Sequence, residues 1–146
     1  MKQELITWLT PHLQALPAEA KALCLNLYES EEEGEFDAQL VACATYDRED
    51  PDWACEDIYS TGEELFGFSS EDWEAALDLM LETVGEAIAD GILPDAIEYV
   101  AVGFVDGDLE EVFCRESAFE TINKGGAILM RETVLLFWSV MNAYAI

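Results

Sequence analysis

Positive charge is what this sequence has least of. Its 146 residues include 6 lysines and arginines and one histidine against 32 acids, a formal net charge of −26 at pH 7. Nucleic acid and anionic membrane both require cationic protein surface, so neither is expected as a direct partner. Long hydrophobic runs are also lacking. The longest uncharged apolar stretch, Thr133 to Ile146, falls short of the roughly 20 residues a bilayer-spanning helix needs and reads as a buried helix. The opening MKQELITWLT carries a glutamate at position 4 and no apolar core of signal-peptide length, so a cytoplasmic location is expected. Cysteine is sparse and unpaired in sequence. Cys24, Cys43, Cys55 and Cys114 form no C-x-x-C pair, and reduced cysteines of this kind behave as small hydrophobes. A zinc site drawing on all four has no paired spacing behind it, and no metal or cofactor is expected.

Catalytic signatures are missing as well. The single histidine, His12, sits in a Thr-Pro-His context with no nucleophile motif nearby, and reads as structural. There is no phosphate-binding loop, dinucleotide fingerprint or zincin motif. Val105-Asp106-Gly107-Asp108 resembles a calcium loop only superficially, because the glycine is misplaced and the acids at the required offsets are absent. With 32 acids, some carboxylate pair of glycosidase spacing is inevitable and carries no information. No catalytic residue is assigned and no enzymatic activity is expected. Cation binding by the acids of 31–35 or 47–52 would be weak and incidental.

What is present is an ordinary globular composition, 51% apolar and 26% charged. A chain of this length can bury roughly 68–70% of its unfolded surface in one core, and a single domain over 1–146 is expected. The charge is concentrated. Residues 29–111 hold 27 acids and one base, Arg48. Outside that window Glu4, Glu19, Glu116, Glu120 and Glu132 are balanced by Lys2, Lys21, Arg115, Lys124 and Arg131. Adaptation to high salt would have no reason to spare both ends. A charge magnitude of about 2–8 already keeps a small domain soluble, and self-repulsion beyond that destabilises the compact state. The excess points to a cationic partner rather than to a merely solvated face.

The periodicity predicts an α+β fold: an antiparallel sheet of about four or five strands with N-terminal, central and C-terminal helices packed on it. Residues 2–22 read as helical in pieces. Thr10 is an expected N-cap for Pro11, Pro17 an expected second start, and Leu5, Trp8, Leu9, Leu13 and Leu16 share one stripe if the proline only kinks the axis. Alternating Leu23, Leu25 and Leu27, then a turn at Gly34, then alternating Leu40, Ala42 and Ala44 predict a β-hairpin. Residues 47–52 read as a loop and 53–60 as a third strand. The segment from Ser69 to Asp90 predicts a helix capped by Ser69 or Ser70, with Trp73, Ala76, Leu77, Met80, Leu81, Val84 and Ile88 inward and Gly91 just past its end. Its outer row is Glu74, Asp78, Glu82, Glu86 and Asp90, spaced about 6 Å apart. Such like-charge neighbours cost roughly 0.2–0.5 kcal/mol per pair with no lysine on the helix to relieve them. IEYVAVGFV is a buried strand. Asp106-Gly107 favours a following hairpin strand through Val112 and Cys114, with a helix from Asp108 as the alternative. Gly125-Gly126 breaks the chain before an apolar helix with Met130, Val134, Phe137, Met141 and Tyr144 in line. That helix is either core or the interface of a homodimer.

A dense acidic surface reproduces the potential of a phosphate backbone and steers basic proteins to it. Tight binding also needs aromatic anchors. Within the acidic loop DREDPDW, Trp53 is the candidate anchor, with a core position as its competing reading; Tyr28 and Tyr59 are weaker candidates. Trp73 and Trp138 read as core. The candidate partner-binding residues are Glu31, Glu32, Glu33 and Glu35; Asp47, Glu49, Asp50, Asp52 and Trp53; and Glu74, Asp78, Glu82 and Glu86. A small acidic domain with an early hairpin, TGEEL at 61–65 and FSSEDWEAAL opening a helix resembles the immunity proteins of bacterial toxin–immunity systems, over the architecture and residues 36–105. The resemblance implies a cytosolic protein that binds and blocks a toxin domain, often a basic nuclease. It assigns no binding residue. The alternatives are a nucleic-acid mimic that inhibits a DNA-binding enzyme and an α+β protein of another non-enzymatic role.

Overall fold

The computed structural model describes residues 1–115. Helix α1 (Lys2–Gln14) leads into the hairpin β1 (Ala22–Glu29) and β2 (Glu35–Cys43), then a 3-10 turn (Pro51–Cys55), β3 (Asp57–Ser60) and β4 (Phe66–Ser69). Helix α2 (Trp73–Ala89) precedes β5 (Tyr99–Phe104) and β6 (Glu110–Cys114). The fold is α+β with a six-stranded mixed sheet, order β3-β2-β1-β5-β6, in which β4 also pairs with β2. The expected apolar helix near the C-terminus, the Gly125-Gly126 break and Trp138 lie outside the described residues.

The alternation of Leu23, Leu25 and Leu27 with Leu40, Ala42 and their neighbours forms the expected hairpin, with Leu25 opposite Leu40 and Asn26 opposite Gln39. Gly34 turns it at φ +82°, a left-handed conformation that glycine adopts without a Cβ penalty. The sheet is not purely antiparallel. β5 lies parallel to β1, with Leu23 beside Val100 and Leu27 beside Phe104. Parallel neighbours need a long crossover, here everything from β2 through α2. Hydrophobic alternation marks a strand's faces but not its direction. Asp106-Gly107 leads into a strand, not a helix, and β6 returns antiparallel to β5.

Two strands share the outer edge of β2. β4 pairs with its first half, Phe68 opposite Phe36, and β3 with its second half, Tyr59 opposite Ala42. Thr61 bridges them: its amide donates to the Leu40 carbonyl at 3.0 Å and its hydroxyl accepts from the Leu40 amide at 3.1 Å. The TGEEL segment is therefore a strand-to-strand crossing, with Gly62 at φ +60°. β4 was not expected. Its signal is the alternation in Phe66-Gly67-Phe68-Ser69, buried then exposed twice.

Both helices cover one face of the sheet. Leu5, Leu9 and Leu13 of α1, Met80, Val84 and Ile88 of α2, and Leu23, Leu25, Leu27, Leu40 and Val102 of the sheet form one core. The apolar stripe of α1 survives because the helix runs through Pro11 rather than starting there. Thr10 caps nothing; its hydroxyl donates back to the Ile6 carbonyl at 2.7 Å. Pro17 opens only one turn, closed by Ala20 N–H to its carbonyl. α2 is capped by Asp72, whose carboxylate accepts from the Ala75 amide at 2.8 Å, not by Ser69 or Ser70. Both serines are already engaged at the β4 end: Ser69 Oγ donates to Glu35 Oε1 and Ser70 N–H to the Gly34 carbonyl. Gly91 follows the helix at φ +89°, as expected.

The opposite face is built for a loop. Ala22, Cys24, Val41, Cys43, Tyr99, Ala101 and Cys114 form a second, smaller cluster covered by Trp53. The third strand is shorter than expected because Asp50 caps a 3-10 turn with Pro51 at its start, so the chain becomes extended only at Asp57.

At Gly103 the β5–β6 connection crosses so close that an added Cβ would lie 2.5 Å from the Asp108 carbonyl oxygen and 3.1 Å from Leu109 Cα. Gly103→Ala is expected to lower the unfolding free energy by about 1–3 kcal/mol. Gly85→Ala on α2 meets nothing within 4 Å and is expected to raise it by about 0.5–1 kcal/mol. Urea midpoints of the two variants check the pair.

Candidate interaction surface

The acids reach the surface on turns, on the outer row of α2 and on the edge strands, where Asp57 opens β3 and Glu110 and Glu111 open β6. Three regions result. Glu31, Glu32 and Glu33 are exposed on the β1–β2 turn, with Glu35 half-buried beside them. Asp47, Glu49, Asp50 and Asp52 are exposed on the loop after β2. Glu74, Asp78, Glu82, Glu86 and Asp90 are exposed along α2.

The first two regions stand at opposite ends of the hairpin. The eight residues of β1 at about 3.3 Å each separate them by roughly 26 Å, so one small partner segment cannot touch both. The α2 row joins the two ends. Its start lies against the β1–β2 turn, where Glu29, Glu32, Glu33, Asp72 and Trp73 line a shallow hollow of about 220 Å³. Its second half faces β6 across an open groove of about 650 Å³ lined by Glu82, Glu86, Asp90, Glu110 and Glu111.

Within the 47–52 loop, two acids have structural work. Asp47 Oδ1 accepts the Glu49 amide at 2.9 Å and Asp50 Oδ1 the Asp52 amide at 3.0 Å. Glu49 and Asp52 make no ion pair among the described residues.

The cations are committed to holding elements together. Arg48 forms a two-pronged bond to Glu111, at 2.7 and 3.1 Å, and ties the loop to β6. Lys2 reaches Asp90 at 3.0 Å, relieving the end of the α2 row from α1, which helix spacing alone does not reveal; the neighbouring carboxylate holds the lysine pKa above its usual value. Lys21 lies 3.5 Å from Glu98. Arg115 is buried and donates to the Ile97 carbonyl at 2.8 Å. None of these four lines the hollow beside the β1–β2 turn.

Two tryptophans exchange the roles read from the sequence. Trp53 is only 6% exposed, its ring edge-on to Tyr99 at 5.6 Å, while Tyr46 stacks flat on the same ring at 4.8 Å. It is a core residue of the second cluster, not a presented anchor. Trp73, expected inside, is 51% exposed. It is the first residue of α2, and its one aromatic contact among the described residues is edge-on with Phe104 at 6.2 Å. Tyr28 and Tyr59 are half-buried and engaged, Tyr28 donating to Gln39 Oε1 and Tyr59 Oη lying 2.8 Å from His12 Nδ1. His12 also lies 3.4 Å from Glu64 and packs beside Trp8. It pins α1 to the segment after β3.

Among the described residues, no group of three or more His, Cys, Asp or Glu side chains is arranged to hold a metal. No helix among them is long and apolar enough to cross a membrane. Compared with protein-family models, with curated proteins and with solved structures, the chain matches none.

Burial pushes the Cys24 thiol up to about 12 and the Cys43 thiol up to about 11, from 9.0. Burial, with Glu111 beside it, pushes the Tyr99 hydroxyl up to about 12. All three hold their protons more tightly folded than unfolded. Their contribution to stability is complete below about pH 9 and is lost as pH rises toward 12. The thermal midpoint is expected to fall progressively above pH 9. At pH 8 a thiol reagent is expected to label Cys55, the exposed cysteine, rapidly in the native protein and all four only after denaturation.

Proposed function

We propose that this protein is a stoichiometric inhibitor of the immunity type: it binds a basic protein, a toxin domain in the simplest case, through its acidic surface and blocks it. The observation that carries the reading is the division of charge. Most of the acids stand in solvent, on turns, on edge strands and along one helix row, while each lysine and arginine among the described residues is spent on a contact within the fold. A surface kept only for solubility has no need to leave its carboxylates so uncompensated. Like charges along α2 cost stability at each i,i+4 step, and a partner's lysines and arginines recover that cost on binding. Nothing in this reading requires chemistry from the protein: occlusion needs surface, not a catalytic group.

A second reading has one observation in its favour. The α2 carboxylates form an exposed row about 25 Å long over 17 residues that winds gradually round the helix, which suits mimicry of a nucleic-acid backbone. A mimic competes directly with duplex DNA for its target.

The test is affinity capture from the native cell lysate at low salt, followed by titration of the purified partner over a range of salt concentrations. One basic partner is expected, with affinity falling steeply as salt rises. Asp78→Lys combined with Glu82→Lys is expected to weaken that complex at least tenfold; unchanged affinity removes the α2 row from the interface. Displacement of the partner by duplex DNA selects the mimic, and a lack of displacement removes it. Absence of a specific partner at any salt counts against both readings.

A further inference from the structure

The one large aromatic side chain that α2 presents to solvent stands where acids are dense and, among the described residues, no lysine or arginine is found. Trp73 borders two hollows at once. On one side lies the acidic hollow against the β1–β2 turn, lined by Glu29, Glu32 and Glu33. On the other lies a larger one of about 560 Å³, floored by Leu27, Tyr28 and Phe104 and closed by Val105 and Asp106. Val105 is itself 54% exposed, so the apolar surface of the second hollow continues past the indole. No lysine or arginine among the described residues lines either hollow. Lys2 is bound to Asp90 just past the far end of α2, about 25 Å from Trp73. Lys21 and Arg115 sit at the opposite end of the sheet, before β1 and after β6. Arg48 is held by both oxygens of Glu111. At a screening length of about 8 Å in physiological salt, these four cations are too remote to compensate the carboxylates at this end.

We propose that Trp73 and the two hollows it divides form a docking cleft for an arginine-bearing segment of a basic protein partner, the guanidinium lying against the indole and the rim carboxylates closing around it. The proposal rests on the reading that the partner is a basic protein, and it names where that partner is gripped. The site is rigid. Asp72 caps the helix with its carboxylate, which fixes the backbone of the residue that follows, and the Phe104 ring meets the indole at 88°. With that contact made, the side chain is still 51% exposed. A cation over a tryptophan face is attracted by the ring quadrupole, most strongly when water is excluded. Arginine suits the cleft better than lysine: its planar guanidinium stacks, is weakly hydrated and keeps donors free for carboxylates at its edge. The carboxylates alone would steer a partner without selecting one. The indole supplies the apolar anchor that charge lacks.

The experiment uses a hexa-arginine peptide and a hexa-lysine peptide as probes at low and physiological salt. It reads the indole N–H resonance of Trp73 by NMR, assigned from a Trp73→Phe variant, together with the dissociation constants. The expected result is a saturable shift of the Trp73 indole, tighter binding of hexa-arginine than of hexa-lysine at physiological salt, and a loss of about fivefold or more on Trp73→Ala. Trp73→Phe, which keeps an aromatic face, should retain part of the affinity; it also serves if the alanine variant misfolds. Equal affinity for wild type and both variants overturns the cleft. If binding then disappears on Glu49→Gln with Asp52→Asn, the basic-partner reading survives at the loop end while the cleft fails. If neither peptide binds at low salt, the cleft and the reading beneath it fall together.

Discussion

The rest of the structure depends on β1 being buried on both sides. Ala22, Leu23, Cys24 and Leu25 are each nearly inaccessible, with β2 on one edge and β5 on the other. The doubly covered stretch from Ala22 to Leu27 carries no charged residue. The acids are thereby pushed to turns, to the loop after β2, to the outward row of α2 and to the edge strands and strand ends. The surface follows from the core: one dense apolar centre forces a strongly acidic chain to place its charge at the periphery.

The two faces of β1 solve their burial differently. Toward the helices the sheet offers leucines, which interlock with Leu5, Leu9 and Leu13 of α1 and Met80 and Val84 of α2. Toward the loop it offers alanines and cysteines, small enough for the Trp53 indole and the Tyr99 ring to lie across them. The cations serve the same economy of space. Arg48 to Glu111, Lys21 to Glu98 and Lys2 to Asp90 each join segments distant in sequence. Exposed pairs of this kind add little stability one by one. Their effect on the surface is larger, since a base held by one carboxylate shields few others.

That distribution gives the molecule an electrical direction. The α2 N-terminus brings a partial positive charge that eases Asp72 and Glu74 at its first turn, which makes a crowd of carboxylates tolerable there. The helix end carries the opposite partial charge, and there Lys2 is recruited. The β1–β2 turn, the start of α2 and the β5–β6 turn meet at the end that no cation among the described residues serves. The indole of Trp73 is exposed at that meeting point, and the proposed grip on a single partner rests on it.

Much of this was legible beforehand. The alternation through Leu23–Leu27 and Leu40–Ala44, the helical stripe from Ala76 to Ile88, the turn at Gly34 and the stop at Gly91 all follow from local rules of spacing and backbone freedom. So does the choice of strand over helix after Asp106-Gly107. These features were determined by the sequence itself, because a side-chain period states which face is apolar. What lies against that face is a different matter, settled only when distant segments meet. The parallel pairing of β1 with β5, the sharing of β2 by β3 and β4, and the passage of α1 through Pro11 depend on such meetings. So does the capping of α2 by Asp72 once Ser69 and Ser70 are bound at the end of β4. The same reason separates the two acidic clusters, adjacent to the eye along the chain but placed by an eight-residue strand at opposite ends of a sheet. It also decides the tryptophans. Trp53 follows a loop and is covered by the sheet it folds back upon; Trp73 opens a helical stripe but stands past the residues that would cover it. Hydrophobicity is a property of the residue, whereas burial belongs to the packed structure around it.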